Sequence, residues 1–325
     1  MRVHIENDLA GPAALRVSAA RLRDRVAALA GLGERLDITE RDGRGMEPVP
    51  ACGADILLAG RKLDLTAARA ANPTLRWAQV LSAGVETWLP HAPPGLILTN
   101  ASGVHGPKGA EFILMACLML NFGIPGFVDD QRRHVWQPIY GGPIAGKTIT
   151  MLGVGAIGRA AVAALRPFGV TIIGATRGGA CDAPVDACVT TDGLDAALVR
   201  TDILVSTAPL TPATRHLVDR RRLELLPRGA GVVLVGRAAV LDCDALAEML
   251  TRGRLGGAVL DVFPEEPLPP GHPLWDCPRL VMTPHCGLDD HARYIDACLD
   301  IFCGNLARFA AGEPLVNVVD PARGY

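Results

Sequence analysis

The sequence predicts an α/β protein built from two doubly wound parallel-sheet domains. Three observations carry that expectation. Short apolar runs alternate with helical patterns along most of the 325 residues, the rhythm of parallel strands joined by helical crossovers. That length suits about two domains at ~150 residues each. Finally, a glycine-rich turn at 153–158 follows an apolar run and opens a helical pattern.

The elements follow in chain order. Residues 2–6 read as a strand, and 13–30 as an amphipathic helix with Leu15, Leu22, Val26 and Leu29 on one stripe. Strands at 55–58, 76–81 and 96–98 complete a first small unit. A long helix is expected over 106–120. Its apolar run, 112–120, is far shorter than the ~20 residues a membrane span needs. Residues 121–146 are rich in Gly and Pro and hold Trp136 and Tyr140. The segment reads as irregular and is too long for an ordinary connection, so it is either a loose linker or an arm packed on a partner subunit. From Lys147 the alternation becomes regular. Strands are expected at 148–152, 170–174, 202–207, 231–235, 258–262 and 280–283, with a helix at 157–166. A helix over 289–309 and an extended tail at 315–319 close the chain.

Composition narrows the function classes. Basic residues number 32 and acidic residues 34, a net charge of −2, and aromatics make up 4%. Without a basic field or a supply of stacking rings, nucleic acid is a poor partner. An apolar content of 49% excludes wholesale disorder. The 36 glycines and 25 prolines, about a fifth of the chain against an average of roughly 12%, predict many tight turns. Nine cysteines, an odd number with no paired ligand spacing, read as reduced, mostly buried thiols, with no metal site. The N-terminus carries no apolar leader, so a cytoplasmic location is expected, with no membrane partner.

The glycine turn is Gly153-Val154-Gly155-Ala156-Ile157-Gly158. Such a triplet alone is weak evidence; between a strand and a helix, with a second strand about 20 residues on, it has the context of a dinucleotide site. Gly153 permits the tight turn, Gly155 a close approach of the pyrophosphate, and Gly158 close helix–strand packing. The amides at Ala156 and Ile157 open the helix and offer donors and a positive dipole end to phosphate. The second strand ends in Thr176-Arg177-Gly178-Gly179, with no carboxylate to hold a ribose 2′-hydroxyl. An acid there would repel a 2′-phosphate, whereas Arg177 can pair with it. NADP(H) is therefore the expected cofactor, with NAD(H) possible.

Three further segments follow strands in the C-terminal half: Gly236-Arg237, Asp261 through Glu266, and Thr283-Pro284-His285-Cys286-Gly287. Residues beyond strand C-termini line the ligand crevice of an open parallel sheet. An Arg, a Glu and a His can thus converge there, although each alone has a bland reading as a surface residue.

Taken in order, these segments resemble the D-isomer-specific 2-hydroxyacid dehydrogenase family, which includes glyoxylate/hydroxypyruvate reductases and phosphoglycerate dehydrogenases. The resemblance extends over nearly the whole chain and includes Ser82-Ala83-Gly84-Val85-Glu86, Ala110-Glu111, Gly146-Lys147-Thr148, Pro209-Leu210-Thr211-Pro212 and Pro273-Leu274-Trp275. It implies a Rossmann dinucleotide-binding domain over 101–287. It implies a smaller flavodoxin-like substrate domain from 1–100 plus 288–325, with a cleft between them and hinges near 106 and 289. It implies that Arg237 binds the substrate carboxylate and carbonyl, that His285 is the acid/base and Glu266 its partner, and that a carboxylate beside the imidazole favours the imidazolium. Ser82 and the amides of Ala83 and Gly84 would anchor the carboxylate. Asp261 would hold the nicotinamide carboxamide, and Ala208, Pro209, Thr214, Gly236 and Gly287 would line the cofactor. The implied reaction is reduction of a small 2-ketoacid, such as glyoxylate or hydroxypyruvate, to a D-2-hydroxyacid, in a homodimer joined through 121–146. A larger specialised 2-ketoacid, or a dinucleotide-sensing role like that of related corepressors, is the alternative. The chain departs from the family at Leu234, where Asn is common, at Ala238-Ala239, where Gly is usual, and at Cys286 and Lys108. Glu266 separates it from the formate dehydrogenase branch, which carries Gln.

Overall fold

The computed structural model describes residues 1–27, 29, 32 and 35–325. They form two compact units, residues 1–104 with 290–325, and residues 105–289.

The first unit holds strands β1 (Arg2–Asp8), β2 (Asp37–Gly43), β3 (Ile56–Ala59), β4 (Trp77–Val80) and β5 (Ile97–Thr99). All pair in parallel, in the order β2-β1-β3-β4-β5, the flavodoxin-like arrangement. β3 and β4 are buried along their whole length, as strands covered on both faces must be. One face packs Trp77 on Phe302 (ring centroids 5.0 Å apart) together with Leu22, Val26 and Leu299 from helices Ala19–Ala27 and Tyr294–Ala311. The other face packs Leu65, Ala68, Trp88 and Val319.

The second unit holds β6 (Thr148–Leu152), β7 (Thr171–Thr176), β8 (Ala187–Thr190), β9 (Ile203–Ser206), β10 (Gly231–Leu234), β11 (Gly257–Leu260) and β12 (Leu280–Met282). Their order is β12-β11-β10-β9-β6-β7-β8, all parallel. This is the Rossmann order with β12 added at one edge, and it reverses direction between β6 and β9. Alternate residues feed the two faces. Val232 and Leu234 of β10 join the core beneath helix Cys243–Thr251, while Val233 joins Phe112, Ile113 and Ala161 from helices Gly106–Asn121 and Ala156–Leu165.

Several elements differ from expectation. The helix expected at 13–30 is a short 3-10 turn, Ala13–Leu15, followed by an α-helix over Ala19–Ala27. The helix starts where the Ser18 hydroxyl accepts the Arg21 amide, as an N-cap does. Residues 28 and 30 of the expected helix lie outside the described residues. The 121–146 segment is not irregular throughout. Residues Ile124–Arg132 are helical after a left-handed Gly123, because Pro125 falls in the first turn, where no amide donor is needed. β2 and β8 are additional strands. Both are sheet edges, and the sequence of β2, Asp-Ile-Thr-Glu-Arg-Asp-Gly, carries the charges that edges tolerate. The last helix begins at Tyr294. The tail lies extended beside β5 through a Thr99–Val318 bridge. No single helix among the described residues is long and apolar enough to cross a membrane.

Candidate active site

The glycine turn has a distinct reason for each glycine. Gly153 has φ +88, and a Cβ there would come within 2.9 Å of the Ala208 amide nitrogen. A Cβ at Gly158 would lie 2.4 Å from the Gly153 carbonyl oxygen. Gly236, at the end of β10, meets the same backbone, with its Cβ position 2.6 Å from the Ala208 carbonyl. These three glycines therefore let the ends of β6, β9 and β10 close on one another around Thr207-Ala208. The Thr207 hydroxyl completes the closure by donating to the Gly153 carbonyl at 2.8 Å. Gly155 differs: a Cβ there would meet no atom within 4 Å. It is the N-cap of the ten-residue helix Ala156–Leu165, and no side chain caps that end. A bare helix N-terminus with open space before it and Ala156 and Ile157 in its first turn suits an anionic ligand.

At the end of β7, the Thr176 hydroxyl donates to the Ala180 carbonyl at 3.0 Å and shapes a short exposed turn that carries Arg177. The Thr214 hydroxyl donates to the Pro209 carbonyl at 2.7 Å and accepts from the Thr211 amide at 2.7 Å. It thereby organises the loop after Ala208.

The imidazole and carboxylate sit on the same end of this sheet. His285 follows β12, and its Nδ1 lies 2.6 Å from Glu266 Oε2. Glu266 Oε1 accepts the Phe263 amide at 2.9 Å, which fixes the carboxylate against the chain after β11. An ionised carboxylate only accepts, so Nδ1 is the donor in this pair. The imidazole is about half exposed, at 49%. Arg237 follows β10, is half-buried, and donates through Nη1 to the Gly236 carbonyl at 2.8 Å.

Asp261 is 1% exposed. Its Oδ1 accepts the Thr283 hydroxyl at 2.6 Å and the Cys286 and Gly287 amides at 3.1 and 2.9 Å. One buried oxygen thus braces both sides of His285, whose own φ is +49, a left-handed backbone that non-glycine residues rarely adopt. Gly287 is required by packing, since its Cβ would lie 2.6 Å from the Phe112 ring and 2.9 Å from Asp261 Oδ1. Lys108, singled out as a departure, donates its ammonium to the Cys286 and Asp289 carbonyls and so ties the helix Gly106–Asn121 to the same loop. Sequence reasoning missed both tasks, because no local spacing links 108 or 261 to 283–289.

In the first unit, the Ser82 hydroxyl donates to the Gly84 carbonyl and the Asn100 amide to the Ala83 carbonyl, both at 2.8 Å. Asn100 is a support that the sequence reading did not single out.

A family profile described as "D-isomer specific 2-hydroxyacid dehydrogenase, NAD binding domain" matches residues 114–287. The chain belongs to the D-isomer-specific 2-hydroxyacid dehydrogenase family. It is 32% identical over 303 residues to glyoxylate/hydroxypyruvate reductase B of Pectobacterium carotovorum subsp. carotovorum, covering 90% of this chain and 94% of that one. Among solved members of the family, an enzyme from Xanthobacter autotrophicus Py2, crystallised with NADPH and MES, superposes with a TM-score of 0.82 at 29% identity, covering 99% of both chains. The NADPH-dependent glyoxylate/hydroxypyruvate reductase of Sinorhizobium meliloti, crystallised with NADP and sulfate, gives 0.77 at 26% identity, covering 100% of both.

Proposed function

We propose that this family member reduces a small 2-ketoacid to the D-2-hydroxyacid, with NADP(H) preferred over NAD(H). The observation that carries this reading is the 2.6 Å His285–Glu266 pair on the same sheet end as the glycine turn. The bound nicotinamide supplies hydride equivalents; the remaining chemistry falls to side chains. Gly153, Gly155 and Gly158, with the amides of Ala156 and Ile157, hold the pyrophosphate. Thr176 and Arg177 hold the 2′-phosphate, with Ala208, Pro209, Thr214, Gly236 and Gly287 along the dinucleotide. Asp261 is read as the residue beside the carboxamide, with its Oδ1 also holding the His285 loop. Arg237 binds the substrate carboxylate and polarises the ketone. His285, oriented through Nδ1 by Glu266, delivers a proton from Nε2 to the ketone oxygen and takes it back in the reverse direction. Ser82, Ala83 and Gly84 are read as a second carboxylate anchor. Glyoxylate and hydroxypyruvate lead as substrates because similar enzymes carry those names.

The test is a panel of 2-ketoacids with NADPH, followed by absorbance. Turnover on a small 2-ketoacid is expected, and no turnover on any member overturns the enzyme reading. His285→Ala should lower kcat by about 10²–10⁴ with cofactor affinity retained; loss of cofactor binding with it refutes the assigned role. We also read 121–146 as the contact with a second copy. The support is a run of exposed side chains that includes Trp136 at 97% and Tyr140 at 93%. Sedimentation giving only a 34.2 kDa species would overturn it.

A further inference from the structure

Two thiols converge beside the turn that carries Arg177. Cys181 Sγ and Cys188 Sγ lie 3.6 Å apart, and the Thr176 hydroxyl lies 3.9 Å from Cys188 Sγ. Both cysteines are half-buried, neither sealed in the core as Cys117 is nor fully exposed. Gly174 of β7 makes the meeting possible: a Cβ there would sit 3.4 Å from each sulfur and 3.1 Å from Val154 of the glycine turn. The pair therefore occupies a gap between β7, the start of β8 and the glycine turn. No third Cys, His, Asp or Glu joins it among the described residues, which favours sulfur–sulfur chemistry over a soft metal ion.

We propose that Cys181 and Cys188 are a redox modification site, closed by peroxide into an intramolecular disulfide that weakens NADPH binding. The second half rests on the reading of Thr176 and Arg177 as the 2′-phosphate seat. A disulfide needs its sulfurs about 2.05 Å apart, so the 3.6 Å between Cys181 Sγ and Cys188 Sγ must close by about 1.5 Å, within reach of side-chain rotation and a small loop shift. One thiolate attacks a peroxide oxygen, the O–O bond breaks, and a sulfenic acid and hydroxide form. The second thiolate then attacks that sulfur, the S–O bond breaks, and hydroxide leaves. Overall two thiols and one hydrogen peroxide become one disulfide and two waters. Burial, and then the neighbouring Cys188 thiol, push the Cys181 thiol up, so little thiolate is present at neutral pH and closure accelerates as pH rises.

Closure would reshape the turn. Thr176, Gly179 and Ala180 are held by the Thr176 hydroxyl on the Ala180 carbonyl at 3.0 Å and the Gly179 amide on the Thr176 carbonyl at 3.4 Å. Drawing Cys181 toward β8 pulls on this turn from its far end, and Arg177 lies within it. Loss of one charge-assisted hydrogen bond corresponds to about a tenfold change in affinity.

The test treats the full chain with hydrogen peroxide, alkylates the free thiols and maps peptides by mass spectrometry. The expected result is a Cys181–Cys188 link, reversed by dithiothreitol and formed faster at higher pH. With it, the KM for NADPH should rise about 3–10-fold, more than the KM for NADH. Cys188→Ser and Cys181→Ser should each keep reduced-state kinetics and melting temperature and lose the response. If both thiols stay free, or are oxidised separately to sulfinic acids, the site is overturned. If the link forms but the KM values for NADPH and NADH do not diverge, the redox site stands and its effect on the cofactor is overturned, whereas an unoxidised enzyme that prefers NADH overturns the 2′-phosphate reading itself.

Discussion

Replacing Asp261 with alanine probes how the fold holds His285 in place. The carboxylate is buried, and its Oδ1 receives one hydroxyl and two amide donors from residues 283, 286 and 287. Removing it strands three donors. Each unsatisfied buried donor costs about 1–3 kcal/mol, and admission of water to the gap would bring the sum toward the lower end, about 3 kcal/mol. The left-handed backbone at His285, φ +49, carries a cost of about 1–2 kcal/mol that the brace must exceed. Without the brace the loop relaxes, and His285 shifts away from its working position. At 1.4 kcal/mol per tenfold, a 3 kcal/mol loss corresponds to about a 10²-fold fall in kcat, the scale on which small misplacements act. Asp261→Asn keeps a carbonyl acceptor and loses the charge assistance, about half the strength, so about a tenfold fall is expected. Steady-state kinetics with NADPH and a turned-over 2-ketoacid read both. If Asp261→Ala keeps kcat within about threefold while the KM for the cofactor rises, the carboxamide contact is its main task and the bracing argument is refuted.

Three other outcomes follow from the same structure. Arg177→Ser should cut kcat/KM with NADPH by about tenfold or more and leave NADH little changed; an unsubstituted enzyme that prefers NADH would refute the role of Arg177. Gly158→Ala places a Cβ 2.4 Å from the Gly153 carbonyl, and overpacking of about 1–3 kcal/mol should lower the melting temperature and weaken cofactor binding together, so an unchanged affinity by fluorescence titration would show that the turn can shift freely. In the first unit, Glu6 is 0% exposed and bonds Arg61 at 2.8 Å through Nε and His4 at 3.1 Å. Burial pushes its carboxyl up, but the hydrogen bonds from His4 and Arg61 outweigh burial and hold it below its ordinary value of 4.5. The folded state therefore binds this proton less readily than the unfolded chain. The resulting stability is fully present above about pH 4.5 and is lost as pH falls through the lowered folded value. Arg61→Met leaves Glu6 buried with His4 and the more distant Arg41, at 3.8 Å, and should destabilise the fold at neutral pH toward the lower end of about 3–5 kcal/mol, with a weaker acid-side loss of melting temperature; a fold unaffected at neutral pH would overturn it.

Sequence alone settled what is local. The strand, turn and helix at 148–165 were legible because apolar periodicity and three glycines act within about twenty residues. The central strands, buried on both faces, announced themselves as apolar runs. The edge strand β2 did not, because an edge tolerates charge, and a polar strand has the composition of a loop; β8 did not, because it is only four residues long and half-exposed. The helix Ile124–Arg132 was hidden for a related reason, since Pro and Gly read as breakers unless their place in the first turn is known. The residue types at 237, 266 and 285 could be read off, along with their order past successive strands. Only the tertiary structure decided that Nδ1 of His285 meets Glu266, that Lys108 and Asp261 secure the loop between them, and that two cysteines meet above Gly174. Those partners lie 7 to 181 residues apart in the chain. Such separations carry no periodic signal, and it is strand pairing together with the packing of helices and loops on the sheet that brings the groups within reach.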